Sequence, residues 1–171
     1  MRKFTEQDEE LIRLELCSRL SYGLRGRVVA TCVDTNHIDM DGFYGEKDFD
    51  VDVELDKIDI GNYEIHVTAL GNGNDDLCDY IEESQTMGEP WTIFDFKPYL
   101  RPMSSMTEEE RIEMREFCDS KPKLIYDIGV AGQIHSPNVI DFLNSHHFDY
   151  RGLIEKGLAL EAPEGIYDDN E

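Results

Sequence analysis

Between Asp48 and Asp56 the chain alternates without a break, with Phe49, Val51, Val53 and Leu55 set between the carboxylates Asp48, Asp50, Asp52, Glu54 and Asp56. A period of two is the side-chain period of a β-strand, so this run predicts a strand with one apolar face and one acidic face. The surrounding sequence continues the pattern. Arg27 to Val33 is rich in β-branched residues, and Ile58 and Ile60 lead through a Gly61-Asn62 turn into Tyr63, Ile65 and Val67, a predicted hairpin. Gly71 to Asp76 reads as a turn or loop, and Trp91 to Phe96 as a further short strand. Four or five short, sharply turned strands suggest antiparallel structure, either a small SH3-like barrel or a curled meander.

Helices flank this region. Thr5 can cap a first helix whose opening turn holds Glu6, Asp8 and Glu9, where the helix dipole favours anions. Leu11, Ile12, Leu14, Leu16, Cys17 and Leu20 form its expected apolar stripe, and Gly23 and Gly26 supply positive φ angles for its exit. From Pro98 the pattern is helical again. Thr107 and Glu110 make a capping box, Ser136-Pro137 starts another helix, and Asp149 and Gly157 bracket a short last one. The tail after Pro163 is acidic and expected to fray. The fold class is therefore α+β: an N-terminal helix and acidic β-domain over 1–97, with a helical C-terminal lobe over 98–171 packed on it or merged with it into one domain.

The acids are unevenly placed. Of the formal net charge of −22, residues 34–96 carry −16, against +1 for 1–33 and −7 for 97–171. Phosphate backbones and anionic membranes reward Lys and Arg, so direct nucleic-acid or membrane binding is disfavoured and a protein with a basic surface is the expected partner. The N-terminus turns acidic within six residues with no apolar run behind it, unlike a signal peptide, and no stretch approaches a bilayer span. A cytoplasmic protein is expected. Cys17, Cys32, Cys78 and Cys118 have no zinc-type spacing and read as buried reduced thiols.

Chemical motifs are weak. His37 to Asp48, aligned on Gly42, has the outline of a calcium loop, but His37 stands at the first ligand place and Asp48 replaces the closing Glu. Five acids on one strand face are a solvated surface more readily than a catalytic pair, which needs partial burial to separate its pKa values. His146 and His147 are neighbours about 100° apart on a helix, so both rings cannot share a face. Neither a cysteine-protease signature around Cys118 and His135 nor a phosphate-binding glycine loop is present. Catalytic, cofactor and metal residues are accordingly assigned to none.

Lys97-Pro-Tyr-Leu-Arg-Pro-Met-Ser-Ser-Met-Thr-Glu-Glu-Glu110 and Phe142 to Gly165 carry a resemblance. With Lys3 to Asp8 and Leu14 to Leu20, they are similar to uncharacterised short acidic proteins of gut Bacteroides and relatives, associated with prophage or mobile elements. The resemblance implies a bacterial cytoplasmic setting and a phage or host-interaction role, and no catalytic residues. Within its motifs, Tyr99, Arg101, His147, Tyr150 and Arg151 are of residue types enriched at binding hot spots. Together with Asp48, Asp50, Asp52, Glu54 and Asp56 they form the expected interaction surface.

The first expectation for function is a non-enzymatic interaction module. The second is an acidic nucleic-acid mimic that inhibits a DNA-binding protein. Acids at alternate strand positions recur every ~6.7 Å, about half the linear charge density of a DNA strand at ~3.4 Å, so loops or a second strand would have to contribute. The third is a small metal-dependent hydrolase.

Overall fold

The structure is a computed structural model that describes residues 4–38, 44–70, 91–120 and 137–167. Helix α1, Glu6–Arg19, opens with a reciprocal cap in which the Asp8 amide donates to Thr5 Oγ1 at 3.2 Å and the Asp8 carboxylate accepts from the Thr5 amide at 3.0 Å. The buried face of α1 differs from the expected stripe. Ile12, Glu15, Leu16 and Arg19 are buried, whereas Leu14 is 51% exposed and Cys17, expected to be buried, is also exposed. An ion pair one turn apart, Glu15 with Arg19, takes the place that a purely apolar stripe would fill. Cys78 and the side chains of Cys32 and Cys118 lie outside those described, as do residues 39–43 of the calcium-like loop, the 71–76 turn, His135 and Ser136.

After a 3₁₀ turn at Leu20–Tyr22, Gly23 adopts φ +64°, the left-handed exit anticipated for it. Gly26 has a different job. It lies within β1, Arg25–Ile38, and a Cβ there would sit 2.5 Å from Phe96 Cζ and 2.6 Å from the Lys97 carbonyl oxygen. Close approach of a ring and a neighbouring strand, not positive φ, is what requires glycine at Gly26.

The remaining strands are β2, Tyr44–Asp59; β3, Glu64–Ala69; β4, Trp91–Thr92; β5, Lys97–Leu100; and β6, Leu160–Glu161. They form one sheet in the order β4-β3-β2-β1-β5-β6, antiparallel apart from the β5–β6 pair. The meander β1-β2-β3-β4 is present. The barrel is not: among the described residues β4 and β6 are the two free edges of an open sheet. The expected Trp91–Phe96 strand also breaks after two residues, because the Thr92 amide and hydroxyl both donate to Asp95 Oδ2, at 2.9 and 2.8 Å, and close a turn. Where a helical pattern was expected from Pro98 on, Lys97–Leu100 is a strand that pairs with Gly26 and Arg27.

The apolar face of the sheet, with Val28, Val51, Val53, Leu55, Ile65 and Val67, packs with Ile12 and Leu16 of α1 in one core cluster. A second cluster gathers Met106, Phe142, Leu143 and Phe148 among the C-terminal helices. These are α2, Glu108–Ser120; α3, Pro137–Ser145; and α4, Leu153–Lys156. The α2 capping box forms as expected, with the Thr107 amide donating to Glu110 Oε2 at 2.8 Å and the Glu110 amide donating to Thr107 Oγ1 at 3.2 Å. Asp149 accepts from the Leu153 and Ile154 amides at 2.8 and 2.9 Å, and Gly157 closes α4 at φ +69°. Among the described residues no helix is long and apolar enough to cross a membrane.

Arg19 joins the two clusters. It is fully buried, its Nε lies 2.5 Å from Glu15 Oε1, and its remaining nitrogens donate to the carbonyls of Leu143, Asn144 and Phe148. The guanidinium thus caps the carbonyl end of α3, where a cation is favoured.

Candidate functional site

The acidic face of β2 lies on the side of the sheet opposite the core, and β1 contributes basic residues to it. The register places Arg25 opposite Glu54 and Arg27 opposite Asp52. Arg25 Nε reaches Glu54 at 3.1 Å, and Arg27 reaches Asp50 at 3.2 Å and Asp52 at 3.3 Å. The Tyr99 hydroxyl donates to Asp52 Oδ1 at 2.5 Å. Burial first, and then the Asp52 carboxylate, push the Tyr99 phenol up to about 12. The row therefore divides. Asp52 and Glu54 are half-buried and held by arginines, while Asp48, Asp50 and Asp56 stay exposed, Asp50 still sharing Arg27 with Asp52 and Asp56 accepting from Thr68 Oγ1 at 2.6 Å. Cross-strand arginines were visible as Arg25 and Arg27, but their pairing depends on a register that the sequence does not state.

The five motif residues spread over the junction of sheet and helices. Tyr99 is 1% exposed and His147 4% exposed, so neither contributes open surface. Arg101 donates to both Glu110 oxygens, at 2.7 and 3.1 Å, and lies over the Phe148 ring at 4.4 Å, which holds the Glu110 carboxyl below the usual range despite its burial. Arg151 pairs with Glu15 and covers the Tyr150 ring at 4.6 Å, while the Tyr150 hydroxyl donates to Asn144 Oδ1 at 3.1 Å. Tyr150 and Arg151 meet each other there, and Arg101 and His147 meet at a different place, a polar cleft.

That cleft, of 460 Å³, opens between the start of β1 and the end of α3. Arg25, Glu54, Arg101, His146, His147 and Tyr167 are in its wall. His147 ends α3 in a reverse turn: its amide donates to Asn144 O at 3.1 Å and the Phe148 amide donates to Leu143 O at 2.9 Å, with φ +57° at His147. Glycine is the usual occupant of this helix-ending place, so a histidine there bears some backbone strain. The imidazole stacks on Tyr167, and its Nδ1 is buried without a partner. Burial, reinforced by Arg19, holds this histidine down at about 3, so it is neutral across the physiological range.

Tyr167 was missed in the sequence, where the tail was expected to fray. Its hydroxyl donates to the Tyr99 carbonyl at 2.7 Å and accepts from the Arg25 amide at 3.3 Å, while Arg25 Nη1 donates to the Ile166 carbonyl at 2.5 Å. Burial raises the Tyr167 phenol well above its ordinary range. An aromatic in an otherwise acidic tail, Ile166-Tyr167, was the available signal.

Among the described residues no three His, Cys, Asp or Glu side chains gather into a metal-sized group. Glu54 and His147 share the cleft, but Glu54 is tied to Arg25 and His147 is a very weak base, a poor starting point for general acid–base chemistry at neutral pH. Compared with protein families, curated proteins and solved structures, the chain matches none.

Proposed function

We propose that the chain is a non-enzymatic interaction module whose acidic sheet face binds a protein with a basic surface. The observation that carries the reading is the division of the β2 acids. Asp52 and Glu54 are anchored by Arg27, Arg25 and Tyr99, and this fixes the strand that presents Asp48, Asp50 and Asp56 to solvent. A rigid, partly neutralised array favours a specific protein contact over diffuse attraction, because ordered charges lose less side-chain entropy on binding. The same arginines lower the charge density of the face and weigh against mimicry of a DNA strand. The resemblance of the Lys97 to Glu110 and Phe142 to Gly165 segments supports a bacterial cytoplasmic, mobile-element setting for this partner.

The test compares wild type with an Asp48→Asn, Asp50→Asn, Asp56→Asn variant as bait in a bacterial lysate. The reading expects a basic protein retained by wild type, released by rising salt and absent from the variant. Identical captures by both baits would refute it.

A further inference from the structure

We propose that the 460 Å³ cleft binds a small oxyanion that also carries an O–H group, the chemistry shared by hydrogen phosphate and hydroxycarboxylates, with Arg25 and Arg101 facing the oxyanion and His147 Nδ1 accepting from the hydroxyl. The cleft shares Arg25 and Glu54 with the anchored part of the sheet face but none of its exposed acids, Asp48, Asp50 and Asp56.

Charge is the first argument. In a chain of net charge −22, this cleft sets two arginines against a single glutamate, Glu54. Its neighbours do not: the adjoining cleft sets Arg101 against Glu161 and Glu164, and another sets Arg27 and Lys97 against Asp50 and Asp95. Both arginines already have acceptors, Glu54 and the Ile166 carbonyl for Arg25 and Glu110 for Arg101, and these fix the guanidinium planes as a prepared site requires. The volume falls within the range of small-ligand pockets.

His147 is the second argument, and it decides the class of anion. Two unfavourable features meet in one residue of the wall: a left-handed backbone where glycine would be relaxed, and a buried nitrogen without a partner. Such features collect at binding sites. Taking the proton of the neutral ring on Nε2 leaves Nδ1 a lone pair only, so the group it lacks is then a donor. Sulfate and acetate carry no proton at neutral pH, whereas hydrogen phosphate and glycolate do.

The experiment is an amide-resonance titration of the full chain with phosphate, glycolate, sulfate and acetate at matched ionic strength. Phosphate or glycolate is expected to shift Gly23, Arg25, His146 and His147 saturably, with sulfate and acetate at least about tenfold weaker. The tighter of the first two identifies the source. His147→Asn, which tolerates a left-handed backbone, is expected to level that preference while its dispersed spectrum shows an intact fold. Arg25→Gln is expected to abolish binding, and Arg25→Lys to restore part of it. Equal binding of phosphate and sulfate by wild type overturns the proposal. So do unsaturable shifts spread over distant basic residues such as Arg13 and Lys156, which mean an adventitious ion only.

Discussion

The imidazole of His147 and the phenol of Tyr167 lie face to face, their centroids 3.7 Å apart and their planes 8° apart. This contact ties the chain's C-terminal segment to the end of α3, and the Tyr167 hydroxyl ties it further to β5 and β1. The Tyr167→Phe variant keeps the ring and removes the hydroxyl, leaving the Tyr99 carbonyl without that donor. A loss of about 1–2 kcal/mol is expected in urea denaturation. Tyr167→Ala, which also removes the stack, is expected to lose more.

Acid sensitivity should follow from His147. Its folded value of about 3 lies below the ordinary 6.5, so the unfolded chain binds the extra proton between these limits. The stability it contributes is fully present above pH 6.5 and is lost as pH falls toward about 3. Denaturation midpoints of wild type should therefore fall over this window more steeply than those of His147→Asn. Parallel curves would show that another group governs the acid limb.

Local patterns were legible where backbone and side chain settle the matter within a few residues. The Thr107 and Glu110 box, the Asp149 cap and the Asp48–Asp56 strand are of this kind, each determined by spacing and hydrogen-bonding chemistry. What escaped depends on contacts across the chain. Arg19 reaches carbonyls more than a hundred residues away, Gly26 answers to the Phe96 ring, and Tyr167 docks on strands that begin at Arg25 and Lys97. The same limit applies to the cleft. Its wall draws on β1, β2, α3 and the C-terminal segment, so sequence could nominate Arg101 and His147 individually but could not bring Arg25, Glu54 and Tyr167 beside them.

Arg19 gives the largest expected single loss. Arg19→Met leaves Glu15 buried with only Arg151 as a partner and strips donors from the Leu143, Asn144 and Phe148 carbonyls. Breaking a buried pair on one side costs about 3–5 kcal/mol. Arg19→Lys is expected to recover little, because an ammonium cannot span carboxylate and carbonyls as the planar fork does. A double Glu15→Leu, Arg19→Met variant should be less damaged than Arg19→Met alone, since no uncompensated carboxylate remains. Thermal melts of the three variants measure this order.

Gly26→Ala is expected to destabilise by about 2 kcal/mol. The added methyl would meet both the Phe96 ring and the Lys97 carbonyl oxygen inside 3 Å. Phe96→Leu in the same chain should relieve only the ring contact, since the carbonyl belongs to the β5 backbone. A full rescue would show that the strands separate more easily than the register implies.

Tyr99 reports on the acid row directly. Its phenol stands at about 12 chiefly because it is buried, and secondarily because ionisation would place a second anion beside Asp52. Asp52→Asn removes the second cause and leaves the first, so the tyrosinate absorbance of Tyr99, isolated by difference against Tyr99→Phe, should rise at lower pH than in wild type yet still above 10. The sign for stability follows. A folded value above the unfolded one contributes stability that is present below pH 10 and lost as pH climbs toward 12, so alkaline unfolding should be shallower in Asp52→Asn over that window. Arg27 also loses one of its two carboxylates in this variant while Asp50 remains, and the exposed part of the acidic face keeps its charge. An unchanged Tyr99 titration would mean that the Asp52 hydrogen bond does not persist in solution, and with it would go the rigid anchoring on which the presentation of Asp48, Asp50 and Asp56 depends.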